Sequence, residues 1–277
     1  MEYVQAGDAE IPELGLGTWQ NTGQSCAETV ETALELGYRH VDTAQMYGNE
    51  AQVGEGIERS SVDRDDVFLT TKLDRGNLEA DDARESFEES LEKLGTDYVD
   101  LLLIHWPHPR VPFEETLGVM DELHDEGTVR HIGVSNFTPA QLEEAMGITR
   151  APIVTDQVLY NPYKDQSDLH AFSLESDVAL TAYSPLGRGD AISDSMLAAI
   201  GERYDKSAAQ VALRWLVQQE NVVAIPKATS REHLEANLAI YDFELTRDEM
   251  ERIATLDGGI KRRIWNRFPG LMRRIPF

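Results

Sequence analysis

The sequence predicts an α/β fold: a (β/α)8 TIM barrel, a single domain over residues 1–277, opening with a short N-terminal β-hairpin. Three features predict it. Eight short apolar, β-branched runs recur along the chain. Stretches with helical spacing separate them, at roughly 30 residues per strand–helix unit. No Pro/Gly/Ser-rich linker divides the sequence.

The eight runs are Leu14–Trp19, Arg39–Ala44, Val67–Leu73, Val99–Trp106, Val129–Asn136, Ile153–Tyr160, Val178–Pro185 and Val222–Ala228. Most are continuously apolar rather than alternating, which suits parallel strands covered on both faces. Between them, Ala27–Leu36 turns Ala27, Val30, Ala33 and Leu34 to one side. Ala80–Leu94 does the same with Ala83, Phe87, Leu91 and Leu94. Glu114–Asp125 and Ser207–Gln219 repeat the pattern. Thr138 before Pro139 places a capping hydroxyl ahead of a first-turn proline. Gly37, Gly95, Gly127 and Gly147 are expected to end helices in the left-handed region. Met1–Pro12, turning near Gly7-Asp8, is expected to form a hairpin across the barrel's bottom. The rival architecture is a doubly wound open sheet. That fold would show a GxGxxG fingerprint after an early strand, and Gly15-Leu16-Gly17-Thr18-Trp19-Gln20 lacks the third glycine.

Composition excludes several function classes. Hydrophobic residues make up 41% of the chain, enough to bury a sizeable core. Fifty acidic residues face twenty-five basic ones, for a net charge of −25, so nucleic acid is a poor partner. No apolar run reaches the length of a membrane span, so no membrane partner is expected. The opening residues carry Glu2, Asp8 and Glu10 and no basic residue, unlike a secretory leader, so a cytoplasmic protein is expected. One cysteine, Cys26, permits neither an internal disulfide nor a cysteine-built metal centre, and no metal is expected. So many like charges destabilise a compact state unless counterions screen them, which leads to the hypothesis of a salt-rich, halophilic cytoplasm. The stretch Lys261–Arg274 runs against the overall charge, with Arg262, Arg263, Arg267, Arg273 and Arg274 and no acid. Its arginines are expected to pair with the acidic body.

In such a barrel the chemistry sits at the carboxyl ends of the strands. Asp42 and Tyr47 follow the second run, Lys72 ends the third and His105 ends the fourth, so all four converge on one mouth. A free phenol titrates near 10, about three units above neutrality. A nearby ammonium favours the phenolate, so Lys72, held charged by Asp42, is expected to bring Tyr47 toward the working range as a general acid. His105 can donate to a carbonyl oxygen. None of the four can deliver hydride, so a cofactor must.

These residues resemble the aldo-keto reductase family over nearly the whole chain. LGLGTW at 14–19, GYRHVDTAQMYGNE at 37–50, TTKL at 70–73, DLLLIHWP at 100–107, IGVSNF at 132–137 and YSPLGRG at 183–189 look like its signatures, in its order. IPKATSREHLEANLAIYDFELT at 225–246 looks like its cofactor-binding segment. The resemblance implies reduction of a small aldehyde or ketone by NADP(H), with Tyr47, Asp42, Lys72 and His105 as the catalytic set. Among family members it is most similar to prokaryotic reductases of diketo acids and methylglyoxal. It further implies that Gly17, Thr18, Trp19 and Asp42 lie near the nicotinamide, and that Ser135, Asn136 and Gln157 hold its carboxamide. Tyr183 would stack on its ring. Ser184, Pro185 and Leu186 would run along the pyrophosphate, and Lys227, Ala228, Thr229, Arg231, His233 and Asn237 would surround the adenosine end. The expected assembly is a monomer.

The adenosine segment departs from the family's common KSxxxxRxxxN. Ala228 stands where a hydroxyl could hold a 2′-phosphate, and His233 replaces a guanidinium with a ring mostly neutral at pH 7. Arg231 lies near enough in sequence to compensate. A weakened NADPH preference, with NAD(H) also used, is therefore expected. The substrate is expected to meet Trp19, Tyr47, Trp106 and His105, with Leu73 also at the mouth and Arg75 or Arg188 available to a carboxylate. Two alternatives remain. One is a cofactor-binding, redox-sensing barrel without significant turnover. The other is an isomerase or aldolase using Lys72 as a nucleophile, which a neighbouring acid disfavours by keeping the amine protonated.

Overall fold

The structure, a computed structural model, describes residues 2–257. Two antiparallel strands open it, β1 (Tyr3–Ala6) and β2 (Ala9–Pro12). Eight parallel strands follow: β3 (Leu16–Gly17), β4 (His40–Asp42), β5 (Phe68–Leu73), β6 (Val99–Ile104), β7 (Val129–Ser135), β8 (Ile153–Leu159), β9 (Ala179–Tyr183) and β10 (Val222–Ile225). They are hydrogen-bonded in sequence order from β3 to β10. The seam between β10 and β3 is closed by short contacts. Gly15 N donates to Ala224 O at 2.9 Å, Ala224 N to Glu13 O at 2.8 Å and Gly17 N to Pro226 O at 3.1 Å. The predicted barrel is the one observed.

The glycines of LGLG make this seam fit. A Cβ on Gly15 would lie 2.7 Å from His40 Nδ1, and one on Gly17 would lie 2.7 Å from Ile225 O. Only a residue without a side chain lets the Gly17 backbone come so close to that of Ile225, and lets the His40 ring lie over Gly15. Both end strands are shorter than the sequence suggests. At the start, Leu14 joins only through an isolated bridge to Ala224. At the end, Pro226 has no N–H to continue the ladder, so β10 stops at Ile225.

Helices cover the outside. The helices α1 (Gln24–Leu36), α2 (Glu50–Arg59), α3 (Ala80–Leu94), α4 (Phe113–Glu126), α5 (Pro139–Ile148) and α6 (Ser167–Glu175) alternate with the strands. Two, α7 (Ser195–Gly201) and α8 (Ala208–Val217), separate β9 from β10, and α9 (Arg231–Leu238) and α10 (Arg247–Ile253) follow. Their apolar stripes pack on the strands' outer faces, as Val30, Phe87, Leu123 and Trp215 illustrate. Thr138 and Ser207 both form capping boxes, with Gln141 and Gln210. Each such cap contributes about 1 kcal/mol. Gly37, Gly95 and Gly127 end helices at positive φ, as predicted. Gly147 does not. It lies inside α5, which stops at extended Thr149. There the Asp121 carboxylate accepts from Arg150 N at 2.9 Å and Ala151 N at 3.0 Å, so an acid rather than a glycine turns the chain.

The hairpin plugs the bottom. Val4, Ala6, Ala9 and Ile11 pack on Phe68, Leu101, Leu103 and Val223 from the barrel's interior. Burying Ile11 alone contributes roughly 1.5–3 kcal/mol. With one end filled this way, the carboxyl ends of the strands are left to form the open mouth. No helix among the described residues is long and apolar enough to cross a membrane. The basic stretch Lys261–Arg274 lies outside the described residues.

Candidate active site

Strand ends bring Asp42, Lys72 and Gln157 into the barrel's upper interior. Asp42 ends β4 and Lys72 is the fifth residue of β5, and both are sealed from solvent. Lys72 Nζ donates to Asp42 Oδ1 and to Thr43 O, each at 2.6 Å. Gln157 Nε2, from β8, donates to Asp42 Oδ2 at 2.7 Å. Each carboxylate oxygen therefore has a donor, which a buried charge requires. Burial pulls the Lys72 ammonium below its ordinary value, and the Asp42 carboxylate opposes that pull.

Tyr47 sits on the 3-10 turn Gln45–Tyr47 that follows β4. Its ring meets His105 edge-on, with centroids 5.7 Å apart, and Lys72 Nζ lies 5.1 Å from its centroid. His105 follows β6 and is itself nearly buried. Burial, with Lys72 second, holds its imidazole down at about 4, so the ring is neutral at pH 7 and carries one N–H to donate. Here the electrostatics differ from the sequence-based expectation. The phenol of Tyr47 is not brought down. Burial pushes it well above its ordinary value, and the Asp42 carboxylate adds to the rise. The physical reason is that desolvation penalises the phenolate, and the Asp42 charge beside Lys72 offsets much of what the ammonium contributes.

These groups open into a cavity of about 210 Å³, whose walls include Asp42, Tyr47 and His105. Trp19 and Trp106 also line it, 41% and 44% exposed. Met46, 53% exposed, joins them. Met46 breaks no periodic pattern in the sequence, and only its place beside Tyr47 marks it for the mouth. Leu73, expected at the mouth, is fully buried in the core instead, because it points outward from the strand that points Lys72 inward. Arg188 also lines the cavity, with its guanidinium carbon 5.9 Å from the Trp19 ring centroid, whereas Arg75 does not.

The wall formed by β7, β8 and β9 carries the set expected to hold a carboxamide. Tyr183 Oη donates to Asn136 Oδ1 at 2.9 Å. Asn136 Nδ2 donates to Ser135 Oγ at 2.9 Å and His105 O at 3.1 Å. Asn136 can fold back so tightly because it adopts a left-handed φ of 63°. Gln157, whose amide oxygen accepts from no described residue, lines the same cavity as Tyr183. That donor set fits a nicotinamide carboxamide. The cavity is smaller than the roughly 300–1,000 Å³ of a drug-sized ligand's pocket, so the rest of a dinucleotide must lie outside it.

Outward from the cavity the expected cofactor residues separate. Gly17, Thr18, Ser184 and Lys227 line it. Lys227 Nζ donates to Gln20 O at 3.1 Å. Pro185 and Leu186 follow behind Ser184 and do not line it. Ala228 is buried, while Thr229, Arg231 and His233 are exposed at the start of α9. Arg231 is engaged by Glu235 at 3.3 Å and Glu35 at 3.8 Å. Asn237 is buried, and its side chain turns toward the Tyr38 phenol.

The chain matches the model of the Aldo/keto reductase family over residues 13–257. It is 41% identical to methylglyoxal reductase DkgB of Escherichia coli O157:H7, covering 89% of this chain and 93% of that protein. It is 39% identical to an aldo-keto reductase of Mycolicibacterium smegmatis, covering 90% of each. Among solved structures, one provisionally described as a 2,5-diketo-D-gluconic acid reductase B superposes with a TM-score of 0.91 at 48% identity, covering 92% of this chain and 91% of that one.

Proposed function

Because the chain belongs to the aldo/keto reductase family and is an oxidoreductase of that kind, we propose that it reduces small aldehydes and ketones with NADP(H) and Tyr47 as proton donor. NAD(H) serves as a second cofactor. The observation that carries this reading is the buried Lys72–Asp42 pair set beneath the Tyr47 ring, with a neutral His105 beside it. When bound, the nicotinamide supplies the hydride.

The chain's residues supply the rest. His105 donates to the carbonyl oxygen and fixes its direction. Tyr47 stays protonated at rest, because burial raises its phenol, so the donor is loaded at every working pH. An alkoxide is a stronger base than a phenolate, so the proton passes from Tyr47 Oη to the developing alkoxide. The Lys72 ammonium then stabilises the phenolate left behind. Trp19, Met46 and Trp106 exclude water from the reacting carbonyl. Arg188, which has no ion pair with a described acid, favours carbonyl compounds that carry a carboxylate. The similarity to methylglyoxal reductase DkgB supports a small dicarbonyl substrate. We place the protein in a salt-rich cytoplasm, as a monomer with neither nucleic acid nor membrane as partner.

The test is Tyr47→Phe, assayed as NADPH oxidation with methylglyoxal. The variant should lose reduction while its NADPH dissociation constant, read from tryptophan quenching, stays within about twofold. Retention of most of the rate would remove Tyr47 from the mechanism.

A further inference from the structure

The hydroxyl of Tyr47 has no hydrogen-bond partner among the described residues. Its ring lies against His105 and near Lys72, but no side-chain hydrogen bond anchors it, so its backbone must place it. That backbone is one short 3-10 turn, closed by Tyr47 N to Ala44 O at 3.0 Å and Gly48 N to Gln45 O at 3.1 Å. Two such bonds do not hold a turn rigid in isolation. Something outside the turn must fix it.

Two amide side chains, Gln45 within the turn and Asn49 just after it, tie it to such outside segments. On one side, Asn49 Oδ1 accepts from Thr43 Oγ1 at 2.8 Å, and its Nδ2 donates to Thr18 O at 2.9 Å and Asn21 O at 2.8 Å. This ties the turn to the loop that carries Trp19. On the other side is Gln45. Its Nε2 donates to Ser86 O at 3.0 Å and Ser90 Oγ at 3.1 Å, both on α3. Its Oε1 accepts from Asp74 N at 2.8 Å and Asn77 Nδ2 at 3.2 Å, both on the loop that leaves β5 just after Lys72. An amide has two N–H donors and two acceptor lone pairs. All four are used, in a side chain that is only half-buried and could have turned to water. The bonds extend further inward, because Ser90 Oγ lies 3.4 Å from buried Glu50 Oε2, and Glu50 Oε1 accepts from Thr71 Oγ1 at 2.6 Å. Thr71 precedes Lys72.

We propose that Gln45 is a positioning residue for proton transfer. It latches the turn that carries Tyr47 to the loop after Lys72, so donor and ammonium keep one spacing during the reaction. This rests on the reading of Tyr47 as donor. Gln45 touches neither substrate nor cofactor. It acts only through the geometry of the turn, and a displacement of about 1 Å at a reacting group can cost about a hundredfold in rate.

The experiment uses the full chain with NADPH and methylglyoxal, comparing wild type, Gln45→Met and Gln45→Glu. Methionine keeps the length of the stem and loses all four bonds. Glutamate restores the two accepted bonds. Gln45→Met should lower kcat about 10- to 100-fold, leave the NADPH dissociation constant within about twofold, and raise the solvent deuterium isotope effect on kcat as proton transfer becomes limiting. Gln45→Glu should recover part of that loss. A purely structural role would lower the melting temperature without moving the isotope effect. A Gln45→Met enzyme with kcat within twofold of wild type and an unchanged isotope effect overturns the proposal, whatever its melting temperature. Should Gln45→Met fail to fold, Asn77→Ala removes one of the four bonds, and the same two readouts decide. Activity surviving in Tyr47→Phe would instead sink the donor reading, a separate measurement with a separate outcome.

Discussion

Lys72 Nζ and Asp42 Oδ1 lie 2.6 Å apart, with side-chain exposures of 0% and 2%. A buried pair of this kind adds little stability over a well-packed apolar pair, but breaking it leaves a bare charge in the interior. Lys72→Met and Asp42→Leu should each cost about 3–5 kcal/mol in urea denaturation. The double variant should recover much of that loss, since no lone charge remains. All three should be inactive in NADPH oxidation. A double variant as unstable as the two single losses added together would mean that the two residues contribute independently, with neither their attraction nor the desolvation of a lone survivor setting the cost.

Asp156 offers a second test of burial. It lies on β8 and is fully buried, with Oδ1 accepting from Phe137 N at 3.4 Å and no hydrogen-bond partner for Oδ2. Burial raises its carboxyl well above the usual carboxylate range. In the unfolded chain the proton leaves near pH 4, whereas the folded chain keeps it to higher pH. The folded state therefore binds the extra proton in that window, and stability falls as pH rises through it. Asp156→Asn cannot titrate. Its melting temperature relative to wild type should climb steadily from pH 4 to pH 8. Parallel curves for the two proteins would show that Asp156 ionises freely in the fold.

The eight strands were legible because burial on both faces writes itself as continuous apolar runs, and Val99–Ile104 is a clear case. The strand ends named Asp42, Lys72 and His105 for the same reason, each a polar residue closing such a run. What the sequence hid was contact between distant segments. Gln157 bonds Asp42 across 115 residues, and Gln45 reaches Asp74, Ser86 and Asn77. No local period marks such residues. The direction of the Tyr47 shift was hidden too, because desolvation and the Asp42 charge appear only once depth is known. Gly147 misled because a glycine late in a helix looks like a stop signal, when Asp121 of another helix supplies the stop.

On the proposed reading, cofactor preference turns on the start of α9. Lys227 faces the cavity mouth, but Ala228 has no hydroxyl and Arg231 is engaged by Glu35 and Glu235. His233 is exposed in the first turn of α9. The ratio of kcat/KM for NADPH over NADH should stay below roughly a thousand, or about 4 kcal/mol. His233→Arg, which restores a forked donor, should raise the ratio about tenfold. A wild-type ratio above a thousand would show that Lys227 and Arg231 hold the phosphate unaided.

The charge of −25 predicts a dependence on salt. On α3 alone, Asp81, Asp82, Glu85, Glu88, Glu89 and Glu92 are exposed, and many of them stand three or four residues apart on one face. Such like-charge neighbours repel. Only Lys93, paired with Glu89 at 2.9 Å, and half-buried Arg84 answer them within the helix, and Arg84 is held by Glu122 and Glu126 of α4. The screening length falls from about 10 Å at 0.1 M salt to about 3 Å at 1 M. Repulsion across one helical face, where neighbours lie about 5–6 Å apart, is therefore screened only toward the upper end of that range. The melting temperature should rise continuously as KCl goes from 0.1 to 1 M and above. Replacing Glu85, Glu88 and Glu92 with glutamine should flatten the curve by raising its low-salt end. Full stability of the wild type in dilute buffer, with no rise on adding KCl, would remove the basis for a salt-rich cytoplasm.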